Sequence, residues 1–403
     1  MTSVVVVGAG LGGLSTALSL HHWGIEPPVI LEQTAELDAV GAGIQLGPNA
    51  NRVLERLGVL DEVCAVSFEP ETADFLDGRR GTMLQSIPLR SWVAQKFRQP
   101  FLDVHRGDLQ TILAKAVEER LPGSIRVGSR VDDVGQHENT TFATLDDGRT
   151  INGDVLIGAD GVHSRVRQAV VADQVPARFT GHVAYRMLVP RADIDAASMP
   201  RPSVSIWLGA HGLVVSYWVR GGELYNIVTV TENSEWRAES WRIPGDVDAL
   251  RSSFRGWAPQ LHALFGAATD IHQWALLDHP VPRLWVRDRI ALLGDSCHAM
   301  LPYLAQGAAM ALEDAWLVGQ ALAEDPDPAR ALRRYSVSRV ERATRVHAQS
   351  TKSGEVYQRS SPAWRFLRDL ALTTMGRLFR DRFLRRLEWI YSFDPTNQVL
   401  AGR

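Results

Sequence analysis

The first patterned segment is Val4-Val5-Val6-Val7, an unbroken β-branched run that stops at glycine. Wholly apolar runs of this length suit a parallel strand buried on both faces. Residues 12–23 change period, with Leu14, Ala17, Leu18 and Leu20 recurring at helical spacing. A second run, Val29-Ile30-Leu31, ends at Glu32, with Pro27 and Pro28 at its entry, where a missing N–H is tolerated. Strand, helix and strand make one βαβ unit with an expected right-handed crossover. The strand-then-glycine pattern returns twice: Asp154 to Ala159 runs into Asp160-Gly161, and Arg289 to Leu293 into Gly294-Asp295.

Between these units the period is two. Ser203 to Trp207, Leu213 to Val219 and Leu224 to Thr231 read as strands, with Arg220-Gly221-Gly222-Glu223 as a hairpin loop joining the last pair. Beyond Ala308 the pattern is helical: Ala308 to Leu322, then Arg330 to Ser350, with Pro326 and Pro328 breaking between them. Residues 363–391 form a further helical stretch rich in arginine and aromatics, read as a packed cap with a solvated face. Asp369, Asp381 and Glu388 interrupt its basic side, which weighs against a membrane-surface role. The expected fold class is α/β: a Rossmann-like dinucleotide-binding domain interleaved with a mixed β-sheet plus helix substrate domain, then C-terminal helices. The boundaries fall at 1–172 with 280–360, at 173–279 (70–100 joining it), and at 361–403.

The 403 residues suffice for two packed domains, and 45 % hydrophobic with 22 % charged residues is ordinary globular composition. A net charge of −3 invites neither nucleic acid nor an anionic membrane. Lysine stands only at Lys96, Lys115 and Lys352, so arginine supplies the rest of the basic residues and single arginines carry little functional weight. Cys64 and Cys297 fit neither a disulfide framework nor a metal-ligand cluster. No signal peptide or apolar span is visible, and a cytoplasmic location is expected.

Gly8-Ala9-Gly10-Leu11-Gly12-Gly13 fits GxGxxG directly after a strand and opens a helix. Gly8 permits the tight turn, Gly10 lets the backbone approach a pyrophosphate, and Gly13 lets helix and strand pack closely. Gly12 and Leu11 lie at the helix N-terminus, which faces phosphate. Glu32, at the end of the next strand and followed by Gln33, is placed to accept ribose hydroxyls. The motif implies a dinucleotide without saying which.

Two later segments narrow the choice. Asp160-Gly161-Val162-His163-Ser164-Arg165-Val166-Arg167 and Gly294-Asp295-Ser296-Cys297-His298-Ala299-Met300-Leu301-Pro302 resemble the second and third signatures of group A flavoprotein monooxygenases. The resemblance continues through His105-Arg106-Gly107-Asp108-Leu109 and Gln306 to Ala315, and covers nearly the whole chain. It is strongest toward the salicylate hydroxylase, 3-hydroxybenzoate hydroxylase and 6-hydroxynicotinate monooxygenase branch. It implies noncovalent FAD, held by Asp295 and Gly294 at the ribityl or pyrophosphate, by Arg106 along the chain and by the Val131 backbone at adenine. Asp160 and Arg167 would serve flavin and nicotinamide, or else form a buried salt bridge. Gly307 and Ala308 would aim a positive helix end at the flavin. Gly41-Ala42-Gly43-Ile44-Gln45 is similar to the family's mobile loop beside the isoalloxazine, with Gln45 where some relatives carry histidine.

On the substrate side, His211, Leu213, Val215 and Tyr217 alternate along one strand. The resemblance pairs Tyr217 with a histidine four residues earlier, and this chain has Leu213 there. Tyr217 would hold a substrate hydroxyl or be a sheet tyrosine. His298 would act as a base at the mouth of the site or be satisfied internally. Pro302 and Tyr303 would form the wall behind the ring, and Arg186 would meet a carboxylate. The family's chemistry implies that NADH or NADPH, bound transiently, reduces FAD. Dioxygen then adds at flavin C4a, and the hydroperoxide passes one oxygen to a small aromatic. Two alternatives remain: an oxidase or reductase of the same fold acting on a non-aromatic substrate, and a non-catalytic FAD-binding protein. The partner is a small aromatic molecule, with no nucleic acid and no membrane, in a monomer or homodimer. No metal site is expected.

Overall fold

The computed structural model describes residues 2–37, 41–173, 175–233, 243–357, 359, 361–374 and 376–402, with backbone alone at 377 and 379. The sequence segments 234–242 inside the middle module lie outside them. Among the described residues the chain forms a six-stranded and an eight-stranded sheet, with two smaller ones.

Val4–Val7 is the centre of a six-stranded sheet, flanked by Val29–Leu31 and Val155–Gly158, then by Ile125–Arg126 and Ile290–Leu292, with Val286–Arg287 at one edge. Every pairing is parallel except that of the edge strand 286–287. The valines are 0–5 % exposed, as expected of a strand covered on both faces. Leu11–His22 covers one face and packs against the long helix Gly307–Glu324. Ser19 Oγ donates to the Trp316 carbonyl across that contact.

The second sheet has eight strands in the order 243–244, 269–278, 178–190, 224–232, 212–219, 203–208, 72–77 and 83–88. All neighbours are antiparallel except 203–208 with 72–77. Residues 72–88 therefore pair into this sheet from far upstream. The Arg220–Gly222 turn joins 212–219 to 224–232, and Gly221 supplies the positive φ of 61° that the turn needs.

The two faces of this sheet have different fates. Val183, Tyr185, Met187, Val214 and Trp218 pack under the short helices Val247–Ser253 and Pro259–Gly266. The alternate residues Ala184, Leu213, Tyr217 and Val230 face the nucleotide-binding half. Leu372, Leu384, Ile390 and Tyr391 from the C-terminal helices Pro362–Thr374 and Gly376–Tyr391 close over that same face. Phe366, Leu367 and Leu370 of the first of these helices remain exposed. Among the described residues no helix is long and apolar enough to cross a membrane.

Candidate active site

The glycine motif folds as its spacing requires. Gly8 has φ 101°, and a Cβ there would lie 2.5 Å from the Ala159 carbonyl oxygen, so the first and second motifs meet at this turn. A side chain on Gly13 would collide with the Gly8 carbonyl, and one on Gly12 would meet Leu293. Gly10 has nothing within 4 Å of a notional Cβ. The structure thus separates glycines that serve packing from the one that faces open space, where a phosphate can approach the N-terminus of Leu11–His22.

Glu32 bridges the second strand to that turn, accepting from the Ala9 N–H at 2.9 Å and from the Thr34 N–H and hydroxyl at 3.0 Å. Gln33 is exposed beside it. Ser129 donates its N–H to the Glu32 carbonyl, which sets the strand beginning at Val131 next to the same corner; the Val131 side chain is buried, leaving its backbone to face a ligand. Arg106 opens the helix Arg106–Arg120 and donates its N–H to the Ala42 carbonyl. Burial depresses its guanidinium, and the charges of Asp295 and Glu32 act against that. Arg106 therefore stands between two carboxylates from distant motifs, beside Gly41.

The third motif turns at Gly294, φ 63°, into the short helix Asp295–His298. Asp295 is exposed while its neighbours Gly294, Ser296, Cys297 and His298 are buried. A lone exposed carboxylate on an otherwise buried turn, within reach of the Arg106 charge, is what a contact to ribityl hydroxyls needs. At Gly307 nothing lies within 4 Å of a notional Cβ, and Gly307 with Ala308 begins an 18-residue helix whose first N–H groups are uncapped by side chains. The donor set suits FAD: backbone N–H groups and a helix end for phosphates and the anionic flavin edge, carboxylates for hydroxyls, and a guanidinium along the chain.

Asp160 and Arg167 do not form the salt bridge that was one reading of the second motif. The Asp160 carboxylate accepts from the Ser164 hydroxyl and from the Arg165 and Val166 N–H groups, capping the helix Val166–Val170. Arg167 instead donates to the carbonyls of Val162 and Ser296, strapping the second motif to the third.

His298 is not at the mouth of the site. It is wholly buried, and its Nε2–H donates to Asp314 Oδ2 at 2.5 Å. Asp314 also accepts from the Gly294 N–H and from Arg339. Burial would raise the Asp314 carboxyl, but His298 and Arg339 hold it down at about 2. Arg339 also meets Glu313, which binds Arg342 and Asn49. Cys297, His298 and Asp314 converge within metal-ligand range. Both Asp314 oxygens are nevertheless committed, with a guanidinium against them, so the cluster is a brace between the third motif and the helix Gly307–Glu324.

The inward face of the eight-stranded sheet is legible in its register. Tyr217 lies opposite Asn226 and then Leu188; Val215 opposite Val228, Arg186 and His272; Leu213 opposite Val230, Ala184 and Trp274. His211 departs from this face. It precedes the strand in a left-handed conformation, φ 58°, and its exposed ring pairs with Glu232 at 2.9 Å. Tyr217 is 4 % exposed, and its hydroxyl makes no hydrogen bond among the described residues. Burial, then the Asp103 charge, pushes its pKa well up, so the phenol stays protonated. Arg186 is 8 % exposed and likewise makes no hydrogen bond or short ion pair among the described residues. Burial depresses its guanidinium, opposed by the Asp270 charge.

Gly43 joins the two halves. Its N–H donates to Asn226 Oδ1 at 2.8 Å, and a Cβ there would come within 2.5 Å of Tyr217. Gln45, two residues on, is half-buried and bonds Asp103. Tyr303 packs on Gly354 of the helix Pro328–Tyr357, while Pro302 is exposed. Sequence reasoning missed Gln110, whose amide donates to the Ala9 carbonyl, and Asn226, Asp103, Asp314 and Arg339. Asn226 alone had a visible signal, a polar residue on the inward phase of an alternating strand.

Two inward-facing halves, a dinucleotide cradle and a sheet floor, define an FAD-binding protein. The chain belongs to the family described as FAD binding domain, which matches residues 1–350. It is 34 % identical to a 3-amino-4-hydroxybenzoate 2-monooxygenase from Streptomyces platensis, over 97 % of this chain and 96 % of that protein. It is 33 % identical to 3-hydroxybenzoate 6-hydroxylase 1 from Aquipseudomonas alcaligenes, over 96 % and 97 %. Among solved structures, Klebsiella pneumoniae HpxO complexed with FAD and uric acid superposes with a TM-score of 0.85 at 26 % identity, covering 97 % of each chain.

Proposed function

We propose that this flavoprotein monooxygenase hydroxylates a small phenolic or heteroaromatic acid, consuming NADH or NADPH and dioxygen. One observation carries the reading: Tyr217 and Arg186, both buried and both without a partner among the described residues, face the cradle from one sheet. A buried guanidinium left unpaired is costly unless an anion completes it. A ligand carboxylate does so with two parallel hydrogen bonds. The Tyr217 hydroxyl then meets a ring oxygen, and Leu213 and Val215 supply an apolar bed for the ring. Both relatives named above act, by their names, on hydroxybenzoates, which carry these two groups.

Glu32, Arg106, Val131, Asp160, Asp295, Gly307 and Ala308 hold the cofactor, and bound FAD supplies the reducing electrons and the activated oxygen. The chain itself orients the ring, excludes water beneath the C-terminal helices and keeps the Tyr217 proton in place. Leu213 removes the histidine that the branch uses beside this tyrosine, and His298 is spoken for by Asp314. The nicotinamide binds transiently in a groove, since no second glycine-rich nucleotide motif is present. Residues 1–172 with 280–360 act as the cofactor domain and 173–279 with 70–100 as the substrate domain. The protein works in the cytoplasm as a monomer or homodimer, consistent with the unpaired Cys64 and Cys297.

The test is flavin reduction by NAD(P)H in stopped flow, alone and with hydroxybenzoates, hydroxynicotinates and quinolones. Strong acceleration by an aromatic acid is the expected result. Equal rates with and without every candidate would favour the oxidase or reductase reading.

A further inference from the structure

Asp103 is a buried carboxyl that none of the cofactor contacts above uses. It stands on the strand Leu102–His105, directly opposite Gln45 of the strand Gly43–Leu46. Gln45 Nε2 donates to its Oδ1 at 2.8 Å, and its Oδ2 is enclosed without a partner. No basic side chain pairs with it among the described residues. Burial raises its pKa well above the ordinary carboxylate range, and the Gln45 bond offsets this only in part. The titratable groups that feel its charge are tyrosines from three other elements: Tyr217, Tyr225 and Tyr391. Tyr225 is committed to the Ser216 hydroxyl. His105, on its own strand, turns to Asp108 and Arg220.

An uncompensated buried acid is expensive, so a role is needed to explain its place. The Gln45 amide presents its N–H to the Asp103 carboxyl oxygen, which leaves the amide oxygen pointing away. Gln45 Oε1 makes no hydrogen bond among the described residues, and Gln45 is half-buried on the strand whose Gly43 touches Tyr217. We propose that Asp103 is a positioning residue: it fixes the Gln45 amide so that an acceptor oxygen faces the cleft, selecting ligands that bring a hydroxyl or ring N–H. This rests on the aromatic-acid reading above and deepens it by naming the substituent that is recognised.

The experiment measures ligand binding to the FAD-loaded protein by perturbation of the flavin spectrum, for a hydroxybenzoate and its methyl ether. The methyl ether keeps shape and carboxylate but cannot donate. Wild type binds the phenol about tenfold or more tightly, the worth of one well-made hydrogen bond. Asp103→Leu collapses that ratio toward one, Gln45→Leu does the same, and the double variant is no worse than either single. Asp103→Asn, which keeps an oxygen for the Gln45 amide, retains the ratio. An unchanged ratio in Asp103→Leu, or single effects that add, overturns the proposal. Should Asp103→Leu fail to fold, an unchanged ratio in Gln45→Leu overturns it alone. If wild type binds neither ligand and no other phenol, the aromatic-acid reading fails instead, which is a separate outcome.

Discussion

His298 and Asp314, sixteen residues apart in sequence, meet at 2.5 Å with both side chains fully buried. The pair ties the turn that presents Asp295 to the helix that begins at Gly307, so two elements proposed to hold the cofactor share one anchor. Arg339 completes it through both Asp314 and Glu313. Replacing Arg339 by Met should cost about 3–5 kcal/mol, because Asp314 and Glu313 each lose a buried ion-pair partner and keep only His298 and Arg342. Chemical denaturation of wild type and variant, each loaded with FAD, checks this; a loss under 1 kcal/mol would mean that the network is slack.

The same network sets an acid limit. Asp314 is held at about 2 in the folded chain, below its ordinary value of 3.8. A carboxyl depressed by folding stabilises above its unfolded pKa, and that contribution disappears as pH falls through the folded value. Asp103 has the opposite sign. Its folded pKa is raised, so stability declines as pH climbs from the ordinary carboxylate range through the folded value. Thermal melts from pH 5 to 9 should therefore show Asp103→Asn gaining on wild type as pH rises. Parallel curves would place the charge of Asp103 elsewhere.

Cofactor retention should depend on Asp295 and Gly10. Asp295→Ala removes the one exposed carboxylate of its turn, and Gly10→Val fills the open approach to the first helix. Both proteins should fold and emerge largely colourless. Full flavin occupancy in the two variants would contradict the site assignment.

Much of this was readable in the chain. Val4 to Val7, Gly8 to Gly13 and Glu32 declare a nucleotide fold because strand, turn and helix are local and each residue answers a local constraint. The inward face of the second sheet was half readable. The period of two gave the faces of Leu213 and Tyr217, but His211 sits one step outside the strand, where φ turns positive and Glu232 captures it. The buried charges were hidden, since Asp103, Asp314 and Arg339 acquire partners only when distant segments pack. A histidine inside a signature motif looks catalytic until the helix carrying Asp314 is laid against it.

Tyr217→Phe separates contact from packing. The ring stays, and the hydroxyl it loses has no partner among the described residues, so FAD content and stability should hold. Turnover should fall about 10²–10³-fold, by analogy with the loss of one donor to a developing oxyanion, while peroxide release rises. Wild-type rate with unchanged coupling would make Tyr217 a sheet residue only.

Arg186→Met tests the charge on the floor. Removing an unpaired buried cation should leave the free protein as stable or more so, yet weaken binding of an aromatic acid by about tenfold to a hundredfold. The corresponding uncharged phenol should bind as before. Equal losses for both ligands would remove the carboxylate contact.

The most direct measurement is the fate of labelled dioxygen. Purified protein is given NADH or NADPH, a panel of hydroxybenzoates and hydroxynicotinates, and ¹⁸O₂, and the products are weighed. A monooxygenase places one labelled atom on the ring and sends the other to water, with one reduced nicotinamide consumed for each product. Label found only in hydrogen peroxide, for every aromatic acid offered and with both nicotinamides, would contradict the account.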